Sequence, residues 1–278
     1  MTARAPRRRP PNRDAPVVLF DLDETLMPEE PVAMRCIVDT ARPAADLHGI
    51  DARDLATALR EEARKIWHTS PFHGFCNRVG ISSWEALWSE FPGDGAELAY
   101  LRSWRGAYRL GSWQAALERF GIDNQRLAQQ LADAFPPLRA QTHPTFADAV
   151  PCLERLSREC RIAVVTNGVR DNQLRKLAGA GVDDLPERIF VSSDFGAGKP
   201  SPAFFGHVLH TLSVAPSACV FVGDSVTNDI IGASTCGIAT IWVNRDGRTD
   251  PRTAVARQEV GNLRDVDIGL IRRLLRDF

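Results

Sequence analysis

The chain reads as an α/β protein: a Rossmann-like three-layer core on a parallel sheet, with an all-helical domain inserted near its start. Three observations predict this. The first is Val17-Val18-Leu19-Phe20, four apolar residues with β-branched members that run into Asp21-Leu22-Asp23. Such a run reads as a short strand buried on both faces. The second is the alternation of apolar runs and helical patterns from Thr145 onward, which implies parallel strands with helices on both faces. The third is the stretch 29–143, which keeps helical periodicity and never alternates with period two for long.

Taken in order, residues 1–15 are rich in Arg and Pro and nearly devoid of large apolar residues, so they read as a disordered tail. Arg7-Arg8-Arg9 resembles a basic targeting segment, but no apolar region and cleavage site follow it. The core occupies 16–28 and 144–278. Pro28-Glu29-Glu30-Pro31 breaks the chain, and the helical domain occupies 29–143. Val32, Cys36 and Ile37, then Leu55, Leu59, Ala63, Ile66 and Trp67, mark its first two helices. Trp84–Phe91, Glu97–Tyr108, Ser112–Phe120 and Gln125–Phe135 read as further helices. Gly111 and Gly121 punctuate them, and Pro136-Pro137 ends the last. Five of the six tryptophans lie here, and packing is the default reading of aromatics at helical spacing.

The core then continues with a helix over 146–156 and a strand at Arg161–Thr166. A helix follows at Asn172–Gly179, a strand at Arg188–Val191 and a helix at Pro202–Leu212. The pattern closes with a strand at Ala218–Val222, a helix at Asn228–Cys236, a strand at Ala239–Val243 and a helix over Asp265–Asp277.

With 278 residues the chain can bury a sizeable core. Its 34 basic and 35 acidic residues leave a net charge of −1, so no overall field points to nucleic acid or a membrane surface. No apolar run is long enough to span a bilayer. The six cysteines form no C-x-x-C pair; Cys152, Cys219 and Cys236 fall in apolar surroundings and read as reduced core residues of a cytosolic protein. Only Lys65, Lys176 and Lys199 are lysines. Arginine's dominance suggests a GC-rich bacterial genome, and it makes Lys199 conspicuous.

The chemistry gathers at strand ends. Asp21 and Asp23 would repel each other unless a cation neutralised them or one held a proton. Val164-Val165-Thr166-Asn167-Gly168, Gly198-Lys199-Pro200 and the run from Val220 to Asp229 all fall at a strand's carboxyl end or open the next helix. In open parallel sheets that edge is where ligands bind.

In this order, with Asp21-x-Asp23-x-Thr25, these motifs resemble the haloacid dehalogenase-like (HAD) hydrolase superfamily, mostly phosphatases. The branch is the one with a helical cap after the first motif. Thr166-Asn167-Gly168 with Gln173, and Val243-Asn244-Arg245-Asp246-Gly247, are similar to nucleotidase and sugar-phosphate phosphatase sequences. The resemblance covers 15–28 and 144–248.

It implies an Mg²⁺-dependent phosphatase acting on a small soluble phosphate monoester. Asp21 would be the nucleophile and form an aspartyl-phosphate. Asp23 would protonate the leaving alkoxide and then take a proton from the hydrolytic water. The metal would be held by Asp21, the main-chain carbonyl of Asp23, and Asp224, with Asp229 as a further acidic neighbour. Thr166, Asn167 and Gly168 would bind the phosphoryl group, and Lys199 would balance its charge and that of Asp21.

Other readings are weighed against this one. Haloacid dehalogenation needs no protonated leaving group, so Asp23 argues against it. Non-catalytic members usually lose a motif aspartate or the lysine, whereas this chain keeps Asp21, Asp23, Lys199 and Asp224. Phosphomutase chemistry shares the intermediate. His68, His73 and Cys76 lack the fourth ligand and tight spacing of a structural zinc site. Glu29 and Glu30 read as an acidic linker and His143-Pro144 as a hinge. Glu29, His68, Phe72 and His73 are candidates for substrate choice. The sequence names neither the substrate nor the oligomeric state.

Overall fold

The computed structural model describes residues 12–277. The tail expected over 1–15 falls mostly outside them, and 12–15 form a turn before the first strand. The strands are β1 (Val17–Phe20), β2 (Arg161–Thr166), β3 (Arg188–Val191), β4 (Cys219–Gly223), β5 (Ala239–Val243) and β6 (Gln258–Val260). All pairings are parallel, in the order β3-β2-β1-β4-β5-β6. Parallel neighbours need long crossovers, and helices supply them.

Between β1 and β2 lie α1 (Glu29–His48), α2 (Ala52–His68), α3 (His73–Val79), α4 (Ser83–Ala86), α5 (Ala96–Glu118), α6 (Gln125–Arg139) and α7 (Ala149–Leu156). Then come α8 (Arg170–Gly179), α9 (Ser192–Phe195), α10 (Pro202–Leu212), α11 (Gly232–Thr235) and α12 (Ile268–Arg276).

Alternation along the strands makes three layers. Val18 and Phe20 of β1, with Ile162, Val164, Val220 and Val222, pack against α7, α8 and α12. Val17 and Leu19, with Ala163, Val165 and Phe221, pack against α10 and α11 on the other face. All four residues of β1 are fully buried, as a central strand covered on both sides requires. A separate apolar cluster joins α1 through α6 around Leu59, Trp67, Trp88, Trp113 and Phe135. Packing therefore accounts for most of the tryptophans; Trp67 stacks on Trp104 at 5.9 Å between ring centroids.

Register places the chemistry. Val17 of β1 is level with Arg161 on one side and Cys219 on the other. From β1 the chain steps through β2 to β3, and β4 then pairs on the opposite side of β1. The reversal opens a crevice beyond the carboxyl ends of β1 and β4. Asp21 and Asp224, the residues that follow those strands, face each other across it.

The helical stretch departs from the sequence reading in several places, the unforeseen α3 among them. The two helices expected on either side of Gly111 are one, α5, because a single interior glycine costs only about 1 kcal/mol and this helix packs along α2. Helix α6 runs through Pro136 and Pro137 to Arg139. Its last turn is held by Arg139, whose buried side chain pairs with Glu29. The helix expected over Trp84–Phe91 shrinks to α4. Beyond it the chain turns so that Glu90 N–H donates to Asp171 Oδ2 at 2.9 Å and the Ser89 hydroxyl accepts from Asn172. In the core, β6 was not foreseen, and the helix expected over Asn228–Cys236 begins as a π-helical turn at Val226–Ile231 before α11.

Candidate active site

A cavity of about 230 Å³ sits over the β1/β4 crevice and is lined by both strand-end loops and the helical stretch. Asp21 follows β1 directly, and its N–H donates to Val222 O at 3.0 Å. A tight turn then returns the chain, with Leu26 and Met27 N–H both donating to Leu22 O. Glu24, inside that turn, takes φ 60°, a conformation that costs a non-glycine residue of order 1 kcal/mol. The turn points Asp21 and Asp23 toward different partners.

Asp21 belongs to an acidic cluster. Its carboxylate, with those of Asp224 and Asp229, offers ligand oxygens within 4.8 Å of one another. Asp229 reaches the cluster because the π-helical turn folds back on β4. Ser225 N–H donates to Asp229 Oδ2 at 2.9 Å, and a Cβ on Gly223 would meet that carboxylate at 2.4 Å. Only glycine fits there.

Lys199 Nζ donates to Asp21 and lies 2.7 Å from Asp229 Oδ1. Asp229 Oδ1 still accepts no well-aligned hydrogen bond. Burial pushes the Asp21 carboxyl well above the usual carboxylate range, against the pull of Lys199. Burial and then Asp229 lift Asp224 to about 7. Burial opposes the charge on Lys199, but Asp21 and Asp229 raise it above the ordinary lysine value. Three carboxylates against one ammonium leave net negative charge, and all the donors are oxygen. Such a set fits a hard divalent cation.

Asp23 stands apart from that cluster. Lys176 Nζ donates to both its oxygens, at 2.9 and 3.0 Å, and Gln173 Nε2 donates at 3.1 Å. If Asp23 contacts a metal, its main chain is the part that remains free to do so. Lys176 is fully buried and also pairs with Glu29 at 2.9 Å. Glu29 in turn pairs with Arg139. Glu29 is thus a buried member of an ion network, which corrects its reading as an acidic linker.

The phosphoryl-binding candidates divide. Thr166 and Asn167 line the cavity, but the Asn167 amide is spent on the Lys199 backbone. It donates to Lys199 O at 2.9 Å and accepts from Lys199 N–H at 2.8 Å, so it fixes the lysine loop to β2. Gly168 is not on the cavity wall. Its N–H donates to Ser192 Oγ at 2.9 Å, and a Cβ there would meet Glu85 Oε1 at 2.4 Å. The glycine admits a side chain of the helical stretch rather than a ligand.

Sequence reasoning missed Lys176, Arg139 and Glu85. The scarcity of lysine that drew attention to Lys199 applied equally to Lys176. Glu85 accepts from Val169 N–H at 2.7 Å, and burial pushes its carboxyl up to about 8. Arg245 is structural: it grips both oxygens of Asp148 at 2.9 Å and donates to Thr25 O at 3.0 Å. Among the described residues, the three aspartates are the only set of three or more acidic, His or Cys side chains close enough to share an ion. Phe72 packs on Tyr100 at 4.9 Å. No helix among the described residues is long and apolar enough to cross a membrane.

A parallel α/β core with a carboxylate cluster and a buried lysine at its switch point defines a hydrolase class. Residues 15–237 match the haloacid dehalogenase-like hydrolases, and the chain belongs to that family. It is 34% identical over 251 residues to the phosphoserine phosphatase of Thermus thermophilus, a match covering 90% of this chain and 97% of that protein. To the N-acylneuraminate-9-phosphatase of Mus musculus it is 33% identical over 235 residues, 83% of each chain. The crystal structure of a 2-haloacid dehalogenase from Pseudomonas syringae pv. tomato matches at TM-score 0.59 and 26% identity, covering 95% of this chain and 99% of that one.

Proposed function

We propose that the protein is an Mg²⁺-dependent phosphatase that hydrolyses a small phosphate monoester through an aspartyl-phosphate on Asp21. The observation that carries the reading is the separation of the two aspartates. Asp21 lies in the acidic cluster beside Lys199, and Asp23 lies 2.9 Å from Lys176 on the other side of the turn. In this reading the first carboxylate attacks, and the second, held apart by Lys176, serves the leaving oxygen.

Asp21, Asp224 and Asp229 would hold the metal, with the main chain of Asp23. When bound, Mg²⁺ supplies positive charge that keeps Asp21 ionised despite its burial and screens the phosphate from it. Lys199 adds a fixed ammonium against the equatorial oxygens. Thr166 offers its hydroxyl to the same group. Asp23 gives a proton to the leaving alkoxide and then accepts one from the attacking water. Glu85, Ser82 and Trp84 from the helical stretch line the cavity and limit the access of bulk water.

The domain division supports this chemistry: 16–28 and 144–278 form the catalytic core, and 29–143 form a cap. The cap closes through Gly168 N–H to Val79 O at 3.2 Å and Gly198 N–H to Arg78 O at 2.8 Å. Opening would break these bonds and release product.

The dehalogenase likeness does not displace the reading. Halide leaves without a proton, and a carboxylate gripped by Lys176 and Gln173 would have no task in that reaction. The names of the relatives put phosphoserine and N-acylneuraminate 9-phosphate among the substrates to try. Six unpaired cysteines, five of them buried, fit a reducing compartment such as the cytoplasm.

The test is hydrolysis of an aryl phosphate with and without metal. Activity should vanish in excess chelator and return with Mg²⁺. Undiminished turnover in chelator would remove the metal from the scheme.

A further inference from the structure

A second cavity, about 530 Å³, lies in the helical stretch and shares Ser82 and Trp84 with the catalytic one. Its size falls within the range of small-molecule sites. Because the two share Ser82 and Trp84 as a wall, a monoester with its phosphate at Asp21 could direct its alcohol portion toward this second cavity.

The wall of this cavity is basic. Arg60, Arg64 and His68 all line it and recur at every fourth position of α2, so they stand in one row on one face of the helix. His73 joins them from α3, its ring 4.5 Å from that of His68. Like charges at this spacing weaken a helix by about 0.2–0.5 kcal/mol per pair, so the row is not explained by helix stability.

The acids nearby are already engaged. Glu30 pairs with Arg60 at 2.8 Å, and Glu61 accepts from Arg119. Arg60 also lies over the Trp84 ring, 5.0 Å from its centroid, at the junction of the two cavities. Arg64 has no ion pair among the described residues. It is an exposed cation without a counter-charge that lines the cavity adjoining the phosphoryl site.

We infer that the substrate's alcohol portion carries a carboxylate, which Arg64, with Arg60 and the two histidines, recognises in the second cavity. This rests on the phosphatase reading and narrows its substrate class to carboxylated phosphate monoesters. A planar guanidinium suits a carboxylate because it can donate two parallel hydrogen bonds. A site built to pair a charged group also disfavours the analogue that lacks it.

The experiment compares matched esters on the Mg²⁺-loaded enzyme: O-phosphoserine against O-phosphoethanolamine, and 3-phosphoglycerate against glycerol 3-phosphate. The carboxylated member of each pair should be favoured in kcat/KM by about tenfold or more. Arg64→Gln, on an exposed face and away from the reacting atoms, should raise KM for the carboxylated esters by a similar factor. It should leave kcat, and turnover of 4-nitrophenyl phosphate, unchanged.

A binding readout independent of turnover is the thermal shift produced by phosphoglycolate, which should shrink in Arg64→Gln while the shift from inorganic phosphate stays. Turnover of 4-nitrophenyl phosphate with no preference within the pairs, or equal loss on both members in the variant, would overturn this inference and leave the phosphatase reading standing. Absence of metal-dependent turnover on every ester would overturn both.

Discussion

The two buried lysines of the site do similar electrostatic work in different settings. Lys199 sits between Asp21 and Asp229, all three on loops and turns at the carboxyl edge of the sheet. Lys176 sits between Asp23 and Glu29, and Glu29 is the first residue of α1, where the chain leaves the core. Glu29 pairs with Arg139, the last residue of α6, and Arg139 also donates to Thr142 O at 2.7 Å where the chain comes back. The first lysine therefore pairs only with carboxylates of the acidic cluster. The second ties Asp23 to both crossing points of the helical stretch. The contacts of Lys199 thus stay within the core, whereas those of Lys176 reach the first helix of the helical stretch.

Losses at the first lysine should be the largest. Lys199→Ala should lower kcat/KM about 10²–10³-fold on every phosphate ester, by comparison with removal of an oxyanion donor. Lys199→Arg should rescue poorly, because a planar fork does not fill the place of a compact ammonium. Steady-state kinetics on aryl and alkyl phosphates decides it, and a variant keeping most of its kcat/KM would place Lys199 outside the site.

At the second lysine the loss should depend on the leaving group. Asp23→Asn should slow alkyl phosphates about 10²-fold and aryl phosphates much less, since only the former need a proton. Lys176→Met should follow the same pattern more weakly. It should also cost about 1–3 kcal/mol of stability, because it leaves buried Glu29 with Arg139 alone and half-buried Asp23 without its lysine. Denaturant melts beside the two-substrate assay separate these effects. Equal losses on both substrate types would erase the distinction between the lysines.

The smallest effect sharpens the role of the helical stretch. Glu85 is nearly fully buried, and its carboxyl is pushed by burial up to about 8, with Lys176 pulling it down and Asp23 and Glu29 pushing it up. Between the ordinary glutamate value of 4.5 and about 8, the folded chain keeps a proton that the unfolded chain has lost. Glu85 therefore subtracts stability as pH rises through that window and adds no further pH dependence above it. Glu85→Gln, which retains the acceptor for Val169 N–H, should match the wild type near pH 4.5 and become relatively more stable toward pH 8. Paired thermal melts across the window measure this, and a constant difference would mean that Glu85 is ionised throughout.

Much of the core was legible in the sequence because its strands are short apolar runs that end on chemistry-bearing residues. Strands β2, β3 and β5 begin and end where their residues suggested. Asp21, Asp23, Thr166, Asn167, Lys199, Asp224 and Asp229 all come to one cavity. What escaped notice depends on distant partners. Nothing local to Glu29 shows that it will meet Arg139, 110 positions along the chain. Gly111 and Pro136-Pro137 are breakers by propensity, and here tertiary packing overrides them. Gly168 needed no side chain, as expected, but the group that approaches it is Glu85 and not a phosphate.

The proposed carrier of the phosphoryl intermediate is Asp21. A single turnover with an aryl phosphate and Mg²⁺, quenched rapidly in acid and digested, should yield a phosphorylated peptide containing Asp21. The amount should rise in Asp23→Asn, where the water that clears the intermediate lacks its base, and fall to nothing in Asp21→Asn. Phosphate on another residue, or full turnover with no phosphorylated peptide at any quench time in either the wild type or Asp23→Asn, would contradict that assignment.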